Sequence, residues 1–100
     1  MSSATFRKYQ DIVMGSVPES DDQLAQLAGC VLGLEEASND ACDMVDDFCD
    51  GTKPIDLPQV REQLAYILWC LTALTGVFGL TLEDLVFKGI VEASKEEMPS

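Results

Sequence analysis

One hundred residues, 47% of them apolar, fit a single domain with one compact core. Eighteen Asp and Glu face six Lys and Arg, a net charge of −12, so nothing can form a phosphate-neutralising stripe and ordinary nucleic-acid binding is excluded. With no histidine in the chain, a Cys/His zinc site is excluded as well.

The cysteines Cys30, Cys42, Cys49 and Cys70 include no Cys-x-x-Cys pair. Cys42 and Cys49 would lie about 10 Å apart along one helix, too far to bridge. The first residues lead into no long apolar run, so no signal peptide is expected. Reduced thiols in a cytoplasmic protein follow as the default.

No repeat, low-complexity tract or interdomain linker is visible, and four helical segments emerge. Phe6, Tyr9, Ile12 and Val13 recur at helical spacing, which predicts a helix from about Ser3 to Met14. Gly15 to Glu19, with Pro18, breaks it. Ser20 is expected to start the second helix, with Gln23 completing a capping box. That helix is expected to reach about Cys49. Leu24, Leu27, Val31, Leu34, Ala41, Met44, Val45 and Phe48 mark one buried stripe along it. Gly29 and Gly33 weaken its first half and are places for a kink.

The stretch Asp50-Gly51-Thr52-Lys53-Pro54 reads as a turn. Pro58 suits the first turn of a third helix, reaching about Phe78. From Leu64 to Leu80 no residue is charged. Such a run is either a membrane span or a helix buried on nearly every side. Its threonines and glycines and its short length favour burial. Too few helices exist in one chain to surround it, so a second subunit is expected to cover part of it, and no membrane association is expected. Gly79 ends this helix. Thr81 and Asp84 form a capping signature for a last helix whose apolar face is Leu82, Leu85, Val86 and Ile90. From Ser94 the tail is polar and expected to fray.

The order of these segments resembles the MazG-like all-α nucleoside triphosphate pyrophosphohydrolases. Phe6-Arg7-Lys8-Tyr9-Gln10 looks like that family's usual start, and Leu32-Gly33-Leu34 like the Leu-Gly-Leu before its first acidic motif. Glu62-Gln63-Leu64-Ala65-Tyr66-Ile67-Leu68-Trp69 resembles the family's Glu-Glu-Leu-Gly-Asp-Val-Leu-Trp. Gly79-Leu80-Thr81-Leu82-Glu83-Asp84 resembles the Gly-Leu-Thr-Leu-Glu-Glu that opens its final helix. The resemblance spans nearly the whole chain. It implies one domain over residues 1–100, an all-α four-helix bundle completed by dimerisation, as a dimer or a dimer of dimers.

Family members hold magnesium with a Glu-x-x-Glu on one helix and a Glu-x-x-Asp on the next. Carboxylates three apart share a helix face, and two facing helices can surround hard cations that bind the triphosphate and activate water. This sequence departs from that pattern. Gln63 and Tyr66 stand at the Glu and Asp positions of the second motif. An ungapped placement puts Ala37 and Asp40 at the first, and a one-residue slip puts Glu36 and Asn39 there. Near the end of the last helix, Gly89 and Glu92 stand where the family often carries an Asn and a Lys for phosphate. A degenerate, catalytically inactive member is therefore expected, with no cofactor. The alternative is an active Mg²⁺-dependent enzyme giving nucleoside monophosphate and pyrophosphate, its cluster rebuilt from Glu36, Asp40, Asp43 and Glu62.

Glu36, Asp40, Asp43 and Asp47 line one face of the second helix without neighbouring lysines. That face reads as a solvated surface, a displaced metal site, or a docking face for a basic protein partner. Trp69 is read as core. Tyr66 is expected to point into the former metal pocket and fill it, or to stack on a base if a nucleotide still binds. Cys30, Cys42 and Cys70 are read as small buried residues, none paired with a base. The expectation is a binding or regulatory module, a decoy that competes with an active homologue or joins it in mixed dimers, or an acidic mimic of nucleic acid.

Overall fold

The computed structural model describes residues 3–19 and 21–95. Among them the chain is all-α, with α1 (Ser3–Ser16), α2 (Gln23–Cys49), α3 (Leu57–Val77) and α4 (Leu82–Lys95) and no strand. The helix order is the one expected, and the ends show which residues set it.

Helix α2 starts at Gln23, and its N-cap is Asp22, whose Oδ1 accepts from the N–H groups of Leu24 at 3.0 Å and Ala25 at 3.3 Å. The cap expected at Ser20 falls outside the described residues. A carboxylate satisfies the first free N–H groups and also meets the positive end of the helix dipole. The Gln23 Nε2 donates to the Val77 carbonyl at 3.0 Å, at the far end of α3.

Two glycines stop helices in the left-handed region, Gly51 at φ 74° and Gly79 at φ 76°. In each case two backbone bonds close the end: Gly51 N to Phe48 O and Thr52 N to Asp47 O, and Gly79 N to Gly76 O and Leu80 N to Thr75 O. This is the Schellman arrangement, which needs a residue without a Cβ penalty at positive φ. Asp56 caps α3 by accepting from Gln59 N at 3.3 Å, and Pro58 stands in its first turn. Thr81 and Asp84 form the expected reciprocal box: Asp84 N donates to Thr81 Oγ1 at 3.2 Å, and Thr81 N to Asp84 Oδ2 at 3.4 Å. Helix α4 then runs through Ser94 to Lys95, and the Ser94 Oγ donates to the Ile90 carbonyl at 2.9 Å; the rest of the tail expected to fray lies outside the described residues.

Helix α3 is the axis of the molecule. α2 packs along it, while α1 packs on α3 and α4 and does not touch α2. α3 and α4 meet at 104°. The Gln10 side chain fixes that corner by accepting from Leu82 N and donating to the Leu80 carbonyl, both at 2.9 Å. Gly76 lets α1 come close: a Cβ there would lie 2.1 Å from Met14 Sδ.

The buried residues are small. Val13, Ala37, Cys70, Ala73, Leu82, Thr72 and Thr75 make the described core. The two threonine hydroxyls donate to the carbonyls of Leu68 and Leu71, both at 2.7 Å, which satisfies them inside the helix. The α2 stripe expected to be buried is largely open, because α2 has α3 as its one neighbour: Leu24 is 77% exposed, and Val31, Val45 and Phe48 are exposed too. The uncharged run of α3 is fully buried only at Cys70, Thr72, Ala73 and Thr75, while Leu64, Leu68 and Leu71 are exposed. On α4 only Leu82 is buried, and Ile90 is exposed. α2 passes through Gly29 and Gly33 as one continuous helix.

Among the described residues, no single helix is long and apolar enough to cross a membrane; α3 and α4 pass that test only as a bent pair.

Candidate functional site

Residues facing α3 along α2 recur at Gly33, Ala37, Ala41 and Met44, each covered at least in part. Ala37, 2% exposed, is therefore turned into the α2–α3 contact. Asp40 points out to solvent, as do Glu36, Asp43 and Glu62, and Gln63 is half-buried. Among the described residues no three Asp, Glu or Cys side chains gather as ligands for one ion. The four carboxylates expected in a displaced cluster lie on exposed surface of two helices.

On the acidic face of α2, Asp47 has a partner that helical spacing did not show. The chain doubles back through Gly51, and Lys53 Nζ comes to 3.7 Å from Asp47 Oδ2. The pair is exposed and contributes little, roughly 0.2–1 kcal/mol. On α4, Glu92 is paired with Lys88 one turn earlier at 2.5 Å, and Gly89 opens onto empty space.

Tyr66 is half exposed and stands one turn before Cys70 on α3. The neighbouring Cys70 thiol, first through its charge and then through its polar interaction with the phenol, raises the Tyr66 pKa above 10.0, and desolvation and the negative charge of Glu36 add to this. Burial raises Cys70 above its ordinary 9.0, partly offset by the Tyr66 hydrogen bond and reinforced by Cys30. Both groups are neutral at pH 7, as an unactivated phenol and thiol. Cys42, expected to be buried, is exposed: it lies one residue beyond Ala41, about 100° around the helix from the inward line.

A cavity of about 730 Å³ lies between α2 and α3 beside the end of α1. Ala25, Gly29, Cys30 and Gly33 form its α2 wall, and Ala65, Tyr66, Trp69, Cys70 and Ala73 its α3 wall. Ser16, Val17, Pro18 and Gln26 form the rim. Gly33 is a close-contact point, since a Cβ there would be 3.1 Å from Cys70 Sγ and 3.5 Å from the Tyr66 hydroxyl. Four residues earlier Gly29 meets nothing within 4 Å. The Trp69 ring is set against Tyr9 edge to face, centroids 6.3 Å apart and planes at 86°. Trp69 is thus part packing residue and part cavity wall, and Tyr66 lines the cavity one turn along α3 from Cys70.

Sequence reasoning singled out Tyr66 and Trp69 but not the cavity. The signal was present in Gly29 and Gly33, spaced one turn apart and read as helix-weakening rather than as a wall without side chains. Compared with protein-family models, curated proteins and solved structures, the chain matches none.

Proposed function

We propose that this chain is a non-catalytic binding module on a degenerate MazG-like helical scaffold, working as a homo-oligomer whose acidic α2 face meets a basic protein partner. The observation that carries the oligomer is the amount of surface one chain leaves uncovered, with large apolar side chains among it. The chain exposes 7493 Å², against about 5,600 Å² for a compact monomer of its mass. Its radius of gyration is 16.0 Å, against about 13 Å for a compact domain of this length. The difference in area exceeds the roughly 800 Å² that one partner contributes to an ordinary stable interface. Leu24, Val31, Phe48, Leu64, Leu68 and Phe78 are among the side chains left out.

The non-catalytic part rests on the neutral groups at Ala37, Gln63 and Tyr66 and on the dispersal of Glu36, Asp40, Asp43 and Glu62. Hard cations bound to triphosphate demand clustered anionic oxygens. Regulation of an active homologue, by mixed assembly or by competition for its partner, is the role this combination suits.

Sedimentation equilibrium tests the first part, with a mass at least twice 10.9 kDa expected and a stable monomer overturning it. Incubation with each nucleoside triphosphate and Mg²⁺ or Mn²⁺ tests the second. Pyrophosphate release that Asp40→Ala abolishes would establish an enzyme instead.

A further inference from the structure

The cavity beside Trp69 has a character the rest of the surface lacks. In a chain of net charge −12, none of its lining residues is charged. Two of its polar side chains are engaged with the protein: Ser16 Oγ donates to the Ile12 carbonyl at 3.3 Å and Gln26 Nε2 to the Pro18 carbonyl at 2.9 Å. The rest of the lining is glycine, alanine, valine, proline, sulfur and aromatic ring, with the Tyr66 hydroxyl beside Gly33. A volume of about 730 Å³ falls within the roughly 300–1,000 Å³ of small-molecule sites, which are typically apolar and largely preformed.

We propose that this cavity is a binding site for an uncharged, aromatic or otherwise flat apolar small molecule, held between the glycine face of α2 and Trp69 of α3. The absence of a side chain at Gly29 leaves open space along α2, Gly33 closes one end of the slot against Cys70 and Tyr66, and the opposite wall is an indole set edge to face against Tyr9. Flat apolar ligands fit such a slot, gaining buried area and offset or edge contacts with the ring. Charged ligands are disfavoured, since a carboxylate or phosphate here would lose its water and find no cation. Phosphorylated nucleotides are therefore outside the class. The inference stands apart from the oligomer reading, which rests on other faces.

The test uses the intact chain and the neutral dye N-phenyl-1-naphthylamine, which brightens in apolar sites and accepts energy from tryptophan. Trp69 is the one tryptophan in the chain, so its quenching reports binding next to it. Saturable dye brightening with matched Trp69 quenching, at one dye per chain, is expected. ATP should not displace the dye. Gly29→Leu projects a side chain into open cavity space and replaces a helix-weakening residue, so it should keep the fold, raise the melting temperature and weaken dye binding at least tenfold. Phe87→Ser, on the exposed face of α4 outside the cavity, should leave dye binding unchanged.

The proposal is overturned if wild type fails to bind the dye, if Gly29→Leu binds as wild type does, or if Phe87→Ser loses binding equally. It also fails if Gly29→Leu alters the sedimenting mass while dye binding persists, because the cavity would then be a contact between copies. Sedimentation of the same samples keeps that result separate from failure of the oligomer reading.

Discussion

Gln10 and Leu82 are joined across 72 positions of sequence by a hydrogen bond of 2.9 Å, in which the Leu82 N–H donates to the Gln10 side-chain oxygen. The other end of the same amide donates to the Leu80 carbonyl, so one side chain holds both sides of the corner between α3 and α4. Gln10→Ala removes both bonds and leaves the Leu82 N–H without its partner. Each such bond contributes about 0.5–1.5 kcal/mol. Urea unfolding should show a loss of about 1–3 kcal/mol. Gln10→Glu keeps the acceptor but loses the donor, and should fall between Gln10→Ala and wild type.

Helix capping gives a second expectation. Asp22→Ala removes the acceptor for the first N–H groups of α2 and should cost about 0.5–2 kcal/mol. The same measurement on Asp22→Asn separates hydrogen bonding from charge, because Asn retains the acceptor and loses only the favourable interaction with the helix dipole. Asp22→Asn should therefore be the milder of the two.

Gly29, Gly33 and Gly76 should respond oppositely to alanine. At Gly29 the new methyl meets open space, so Gly29→Ala should stabilise by up to about 1 kcal/mol through helix propensity. At Gly33 it meets Cys70 Sγ at 3.1 Å and should cancel that gain. At Gly76 it collides with Met14, and Gly76→Ala should destabilise by about 1–3 kcal/mol, with Met14→Ala in the same chain relieving part of the cost. Thermal unfolding of the single and double variants measures each.

The alkaline side of the stability profile should fall. Tyr66 and Cys70 both have folded pKa values raised above their ordinary 10.0 and 9.0. Their neutral forms are thus the ones the fold favours. The stability this contributes is complete below about pH 9 and is lost as pH rises through the raised values, because the unfolded chain releases those protons first. Urea titrations between pH 8 and 11 should show the decline. In Tyr66→Phe, thiolate absorbance should report Cys70 ionising at still higher pH, since the phenol hydrogen bond that lowers its pKa is gone.

The repeats of three and four that located the helices were legible in sequence, as were Gly79, the turn at 50–54 and the Thr81–Asp84 box. Those signals are local, made by a residue and its neighbours within one turn. The cap of α2 was misplaced because Ser20 and Asp22 both carry acceptor side chains near the start of an apolar repeat, and spacing alone does not choose between them. Burial was misjudged more widely, since periodicity shows which side chains share a face but not whether anything covers it. Leu24, Val31 and Phe48 remain exposed among the described residues. The cavity was hidden for a related reason: it arises from what Gly29 and Gly33 lack, and from an α1–α2 connection, held by Gln26 and Pro18, that no pattern encodes.

The isolation of α1 from α2 has a consequence for how the chain comes together during synthesis. α1 emerges first, yet the surfaces that hold it, Gly76 on α3 and the start of α4 at Leu82, are made roughly seventy residues later. α2 and α3 can zip as a local hairpin while α1 waits, its apolar side in water. The nascent chain thus has a window in which its first helix is bare. That window closes in two steps, as Tyr9 and Met14 meet Trp69 and Gly76 on α3 and then as Gln10 meets the α4 corner.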